Sequence, residues 1–153
     1  MALDLIKPVS ANDKTSSFVG SDFSYEDVSG RHWSEDIHTV LRSEDLDGVA
    51  CTVVESRPKE KDWFARKLTW IDPDQRVRRE EVYDQKDNLE KVLELLEYED
   101  VDGHPTATLR RMSSPGKGSH TEIRFSSMRY DTGVAEDVFS ERSRKSPPRE
   151  FVQ

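Results

Sequence analysis

The sequence predicts an all-β domain in which about seven mainly antiparallel strands follow one another as a meander, accompanied by one or two short helices. Three observations lead to this prediction. Stretches rich in β-branched and aromatic residues are separated by short polar turns. The connections are too short for the crossover helices that parallel strands need. The chain shows neither strand–helix–strand alternation nor an internal repeat of roughly 20–50 residues.

Two hairpins are the strongest local signals. In residues 62–84, the turn is Asp72-Pro73-Asp74-Gln75. Pro73 presets φ for a turn corner, and the Asp72 carboxylate can accept hydrogen bonds from the turn's own amides. In residues 37–57, Asp47-Gly48 is a strong type I′ turn signal. Further turns are predicted at Asp84 to Asn88, Asp102-Gly103 and Pro115 to Ser119.

Residues 89–100 are ambiguous between strand and helix. Their composition, LEKVLELLEYED, favours a helix, and the apolar residues fit a helical stripe. Their position between two turns in a run of strands favours a strand that is apolar on both faces, which is the prediction adopted. Residues 106–113 and 120–130 are predicted as the last strands.

The ends of the chain carry weaker signals. Residues 1–21 read as an extended lead-in, and residues 22–30 as one or two helical turns, with Asp22 or Ser24 as N-cap and Gly30 as C-cap. A last helical turn is predicted at residues 135–139. Residues 1–141 are therefore expected to form one domain, followed by a disordered basic tail at 142–153.

Composition restricts the classes of function. The 153 residues are 33% hydrophobic and 35% charged, with a mean hydropathy of −0.83, a net charge of −8 and a pI of about 5.1. An acidic chain has no general attraction for nucleic acid. No apolar run approaches the roughly 18 residues of a membrane span. Cys51 is the only cysteine, so an internal disulfide is impossible, and a buried apolar role is favoured over a reactive thiol.

No catalytic or metal-binding motif is recognisable. HExxH and GxSxG are absent, and no two of the four histidines, His32, His38, His104 and His120, have the spacing of a zinc pair. The carboxylate runs are typical of solvated strand faces. The chain is therefore predicted to be no enzyme and to need no cofactor or metal.

Charged and apolar residues on the strands offer two kinds of candidate site. Five arginines on neighbouring strands either form a basic patch for a lipid head group or acidic partner, or pair with nearby glutamates, which is favoured; they are Arg76, Arg78, Arg79, Arg110 and Arg111. By alternation, Phe64, Leu68 and Trp70 are expected to share one face. The predicted apolar face, either a packed core or a ligand cavity, comprises Phe64, Leu68, Trp70, Val82, Leu109, Ile123 and Phe125.

Several of these motifs resemble one family. The pattern Lys67 to Asp72, KLTWID, followed by Arg76 to Asp84 resembles the W-[IV]-D … R-x-E-x-Y-D hairpin of LolA/LolB-like lipoprotein carriers. The stretch GSDFSYEDVSG, Gly20 to Gly30, resembles that of the outer-membrane lipoprotein-sorting branch. Two further matches support it: Asp47-Gly48 followed by Cys51, and Phe125 followed by Tyr130 to Gly133 and Phe139. The resemblance runs from about Phe18 to Arg142.

The resemblance implies a strongly curved antiparallel sheet, an open half-barrel whose concave face is covered by helices. It implies a periplasmic, non-enzymatic carrier that binds lipid acyl chains or lipoproteins, with a lipid or lipidated protein and an inner-membrane transporter as partners. Complete members carry a signal peptide and further elements before the GSDF stretch, so the chain resembles only their C-terminal part. An uncovered edge and apolar face predict a homodimer. The alternative is a protein–protein interaction module, accessory to an envelope transport complex, with a filled core.

Overall fold

The computed structural model describes residues 13–131 and residue 133. Within this part of the chain, seven antiparallel strands form one open sheet whose spatial order equals the sequence order. The predicted all-β half-barrel meander is confirmed. The strands are β1 (Asp36–Leu46), β2 (Val49–Pro58), β3 (Phe64–Ile71), β4 (Val77–Asp84), β5 (Leu89–Val101), β6 (His104–Ser114) and β7 (Ser119–Arg124).

Turn chemistry accounts for the strand connections. Asp47 and Gly48 both have positive φ, 52° and 84°, as a type I′ turn requires. Asp102 and Gly103 repeat this geometry with 52° and 80°. In the β3–β4 turn, the Asp72 carboxylate accepts hydrogen bonds from the backbone N–H of Asp74 at 3.0 Å and of Arg76 at 2.9 Å. The role predicted for Asp72 is confirmed.

β5 settles the ambiguity of residues 89–100 in favour of a strand. The first part of this strand, residues 89–94, pairs with β4, and residues 92–101 pair with β6 on the other side. Val92 is buried and the adjacent Leu93 is half-buried, so both faces of the strand are covered. Two apolar faces explain why the sequence lacks the clean alternation of a half-exposed strand.

β7 is shorter than predicted, because it ends at Arg124 rather than near residue 130. The Phe125 N–H still donates to the Thr108 carbonyl at 2.8 Å. The chain then turns towards the β5–β6 turn, where the Tyr130 N–H donates to the Asp102 carboxylate at 3.1 Å and its hydroxyl bonds Thr106 at 2.8 Å. These side-chain partners replace a continued ladder.

Helix α1 (Tyr25–Ser29) forms where a helical turn was predicted. Ser24 is the N-cap in a capping box with Asp27, and Gly30 is the C-cap at φ 81°. A 3-10 turn, Trp33–Glu35, leads into β1. The predictions for residues 1–12, for the turn at 135–139 and for the tail at 142–153 lie outside the described residues.

Candidate ligand-binding cleft

Residues 22–36, here called the docking segment, cross one face of the sheet from β7 to the start of β3. At one end, the Asp22 carboxylate accepts a hydrogen bond from the Thr121 hydroxyl at 2.8 Å. In the middle, the Lys91 ammonium of β5 lies 2.5 Å from the Asp27 carboxylate. The face beneath this segment is called the helix face, and the opposite side the tryptophan face.

Arg31 holds the other end of the docking segment. Its guanidinium lies within 3.5 Å of four carboxylates, which belong to Glu26, Glu35, Asp36 and Asp62. It also lies 5.1 Å from the centre of the Phe64 ring. Burial opposes its charge, but the hydrogen bonds to Asp36 and then Asp62 outweigh burial and raise the pKa of Arg31 above its already high value. Arg31 is therefore a permanent cation that ties the segment to β1 and β3.

Two adjoining clefts separate the docking segment from the sheet. The first has a volume of about 220 Å³, with an apolar floor of Val82, Leu93 and Met112 on the sheet and Phe23 of the docking segment opposite. The second, of about 260 Å³, continues past Trp33 towards Val54 and Ile71. Both are lined by Arg31, Lys67 and Glu80. Together they are called the helix-face cleft.

The predicted apolar face does not lie on one side of the sheet, and the expectation that Phe64 shares a face with Leu68 and Trp70 is wrong. A bulge between Phe64 and Arg66 reverses the alternation within β3. Phe64 consequently lies beside Arg31 and Lys67 on the helix face. Strand pairing divides the predicted set into Phe64, Val82, Ile123 and Phe125 on the helix face, and Leu68, Trp70 and Leu109 on the tryptophan face.

The tryptophan face carries a packed cluster of its own. Cys51, Val53, Leu68 and Trp70 are each at least nine-tenths buried and contact one another. Leu46 and Val49, from the ends of β1 and β2, pack against them together with Tyr83. Burial raises the pKa of the Cys51 thiol, which keeps it protonated and unreactive at neutral pH. The prediction of a small buried apolar role for Cys51 agrees with this geometry.

Four of the five arginines considered as a basic patch pair with carboxylates. Arg79 lies 2.7 Å from Glu81, and Arg111 lies 2.6 Å from Glu122. Arg76 and Arg78 both approach Asp72, at 3.0 and 3.9 Å. The favoured prediction of pairing with glutamates is confirmed for Arg79 and Arg111, whereas Arg76 and Arg78 pair instead with the aspartate of the β3–β4 turn. Arg110 differs, since no carboxylate among the described residues lies within 4.0 Å of it.

The described part of the chain contains neither a metal-ion cluster nor a helix able to span a membrane. Residues 13–131 hold no group of three or more His, Cys, Asp or Glu side chains placed to bind a metal ion. Neither helix described here combines the length and the apolar character needed to cross a membrane. The helix-face cleft is therefore the candidate functional site.

Solved structures and one family model match this chain. The family model, described as "-like: Uncharacterized protein", matches residues 2–145. A DUF1329 family protein from Desulfovibrio piger is 32% identical with a TM-score of 0.84, covering 91% of this chain and 60% of that one. A putative outer membrane lipoprotein-sorting protein domain from Vibrio parahaemolyticus is 29% identical with a TM-score of 0.81, covering 88% and 58%.

The chain belongs to the family of the model that matches residues 2–145. Its structural neighbours are DUF1329 family, outer membrane lipoprotein-sorting domain and LolA superfamily proteins. A LolA superfamily protein from Nitrosomonas europaea shares the fold at 16% identity, with a TM-score of 0.71 and coverage of 84% of this chain and 60% of that one. No curated protein matches in sequence. This LolA-like chain spans about 60% of the length of the solved structures it matches. Its fold is that of these solved structures.

Several cleft residues escaped the sequence reasoning for a common reason. Arg31, Lys67, Glu80 and Met112 line the cleft, but none was singled out as a site residue. Lys67 follows Arg66, and Glu80 stands between Arg79 and Glu81, so both resembled solvated residues of a charged strand face. Only the position of the docking segment turns that face inward. The capping box at Ser24 was visible, but it does not specify which face the helix covers.

Proposed function

We propose that this LolA-like protein is a non-enzymatic carrier that holds acyl chains of a lipid or lipidated protein in the helix-face cleft. The observation that carries the proposal is the cleft itself, which has an apolar floor on the sheet and a roof made by a tethered segment. Each methylene group buried there contributes roughly 0.8 kcal/mol without directional demands. Such a site binds by removing chains from water and needs no covalent step.

The family supports the cellular setting of this proposal. One similar structure is described as a putative lipoprotein-sorting domain and another as a LolA superfamily protein. We infer a location in the periplasm, with an inner-membrane transporter as the partner that loads or unloads the carrier. Native mass spectrometry of protein purified after mild extraction tests directly for bound lipid. Protein that carries no lipid in several independent preparations would count against a carrier.

A cleft-filling variant tests where the chains bind. Leu93→Trp places a larger side chain in the cleft and is expected to weaken binding of a neutral apolar dye such as Nile red by about tenfold or more, equivalent to about 1.4 kcal/mol. Leu96→Trp is the matched control on the same strand, because Leu96 is exposed. Trp70→Phe, on the tryptophan face, is expected to leave binding unchanged. If the dye no longer binds Trp70→Phe but still binds Leu93→Trp, the ligand site lies on the tryptophan face instead.

A second candidate function, a protein–protein interaction module, is favoured by the edge strand β1. Only β2 lies beside it in the described sheet, and the side chains of Ile37 and Val40 are 58% and 69% exposed. An exposed apolar edge of this length is a template for strand addition. We infer a homodimer through this edge. Light scattering after size exclusion should give a dimer that Val40→Lys dissociates, whereas a stable monomer at high concentration would exclude it.

A further inference from the structure

The charged side chains that line the first part of the helix-face cleft are balanced with one exception. Glu26 pairs with Arg31 at 3.3 Å, and Lys67 pairs with Glu80 at 3.5 Å. Asp27, the remaining acid, pairs with Lys91 at 2.5 Å. Arg110 is the remaining cation. Within residues 13–131 it has no carboxylate within the 4.0 Å of an ion pair.

The N–H donors of the Arg110 guanidinium also have no acceptor among the described residues. Its Nε atom is shielded from solvent and has no hydrogen-bond partner among the described residues. Neither Nη atom bonds a described residue. The guanidinium packs 5.3 Å from the centre of the Phe125 ring, which fixes its plane without neutralising its charge. A shielded N–H on a charged group that lacks an acceptor is costly, so an acceptor that arrives with a ligand is favoured.

The apolar floor of the cleft begins next to this guanidinium. Met112 lies two residues along β6 from Arg110 and therefore on the same face, roughly 7 Å away. Leu93 is the direct strand partner of Met112, and Val82 follows on β4 in the same cleft. A cation at one end and an apolar floor beside it match a molecule that has an anionic head and an alkyl chain.

We propose that Arg110 binds the anionic head group, a carboxylate or phosphate, of the amphiphile whose chain occupies the helix-face cleft. This inference rests on the proposed carrier function and narrows its ligand to anionic lipids. A guanidinium presents parallel N–H donors that match carboxylate and phosphate oxygens, and such charge-assisted bonds are among the strongest in proteins. A cationic head group would be repelled, and a neutral one would leave the Arg110 charge unpaired.

Calorimetric titration of the full chain with four probes below their micellar concentrations tests the inference. The probes are dodecyl phosphate, dodecanol, dodecyltrimethylammonium and inorganic phosphate. Wild-type protein should bind dodecyl phosphate about tenfold or more tightly than dodecanol, as expected for one charge-assisted hydrogen bond. It should bind dodecyltrimethylammonium more weakly than dodecanol. In Arg110→Met the preference for dodecyl phosphate over dodecanol should disappear.

Two variants separate Arg110 from general effects of charge. Arg111→Met removes the adjacent arginine, which points to the opposite face and pairs with Glu122. It should retain the phosphate preference. Arg110→Lys keeps the positive charge but loses the two parallel N–H donors, so its preference for dodecyl phosphate should lie between those of wild type and Arg110→Met. A preference retained in part by Arg110→Lys also shows that the effect of Arg110→Met is not a folding defect.

Four other results of the titrations would refute either the role of Arg110, the lipid head group, the preference for anions or the carrier function. A preference that survives Arg110→Met, or falls equally in Arg111→Met, refutes the role of Arg110. Inorganic phosphate bound as tightly as dodecyl phosphate refutes the lipid head group in favour of a free anion. Dodecanol binding with no preference for an anionic head refutes the inference but leaves the carrier intact. Failure of every alkyl probe to bind refutes the carrier and the inference together.

Discussion

Replacing Arg31 tests the anchor on which the helix-face cleft depends. The Arg31 side chain is 11% exposed, and its partner Asp36 is 7% exposed. In Arg31→Met, the Asp36 carboxylate would stay buried without its cation. Breaking a buried pair in this way costs about 3–5 kcal/mol. Because domains are stable by only about 5–15 kcal/mol, the variant should lose a large part of its free energy of unfolding.

The assay is equilibrium urea denaturation followed by tryptophan fluorescence, since Trp63 donates to Glu26 of the docking segment at 3.0 Å. Arg57→Met is the matched control: Arg57 also pairs with a glutamate, at 2.8 Å, but its side chain is 55% exposed. That exposed pair is worth about 0–1 kcal/mol. If the two variants lose equal stability, or Arg31→Met loses less than about 1 kcal/mol, the anchoring role of Arg31 is wrong.

Three further predictions concern the core, a turn and pH. Phe64→Ala removes a fully buried ring and should lower the free energy of unfolding by about 3–5 kcal/mol. Trp33→Ala, at a residue that is 73% exposed, should change it by less than about 0.5 kcal/mol. Equal losses in urea titrations would contradict the assigned burial. Gly48→Ala should lower the free energy of unfolding by about 1–2 kcal/mol, because the backbone φ at this position is 84°. Gly116→Ala should lower it less, because φ there is not positive and the space around the added Cβ is open. Similar melting temperatures for the two variants would refute the turn geometry. Burial opposes ionisation of the Asp72 carboxyl, but hydrogen bonds from Arg76 outweigh burial and hold the pKa of Asp72 below its usual value. The ionised carboxylate therefore contributes its full stabilisation above the unfolded-state pKa of about 3.9. This stabilisation is lost as the pH falls through the lower pKa of the folded state. The stability difference between wild type and Asp72→Asn should therefore be constant near neutral pH and shrink below about pH 4; a difference that grows on acidification would reverse the assigned sign.

Local chemistry made much of the meander predictable. Asp-Gly pairs mark the β1–β2 and β5–β6 turns because few other residues adopt positive φ at both corners. Helix α1 was visible through Ser24 and Gly30, which cap it. The extent of β7 was not predictable, because Tyr130 ends the strand region by bonding Thr106 and Asp102, which lie 24 and 28 residues away. Sequence patterns contain no direct record of such distant partners.

The candidate site was predictable only in its apolar character. Alternation assigns faces correctly as long as each residue of a strand opposes one residue of its neighbour. The bulge before Arg66 breaks that rule and moves Phe64 to the face opposite Trp70. The cleft residue Asp27 was indistinguishable from a solvated one, because its partner Lys91 lies 64 residues away in the chain.

The sequence by itself therefore determined the order of the strands, most of their turns and the family, because these depend on residues close together in the chain. The tertiary structure decided which face became a site. It laid the docking segment over β3 to β7, fastened it through Arg31 and Asp22, and left Arg110 as the cation of the first cleft without a carboxylate in the described part of the chain. The physical reason is that burial and ion pairing depend on distances in space, which a local pattern does not specify.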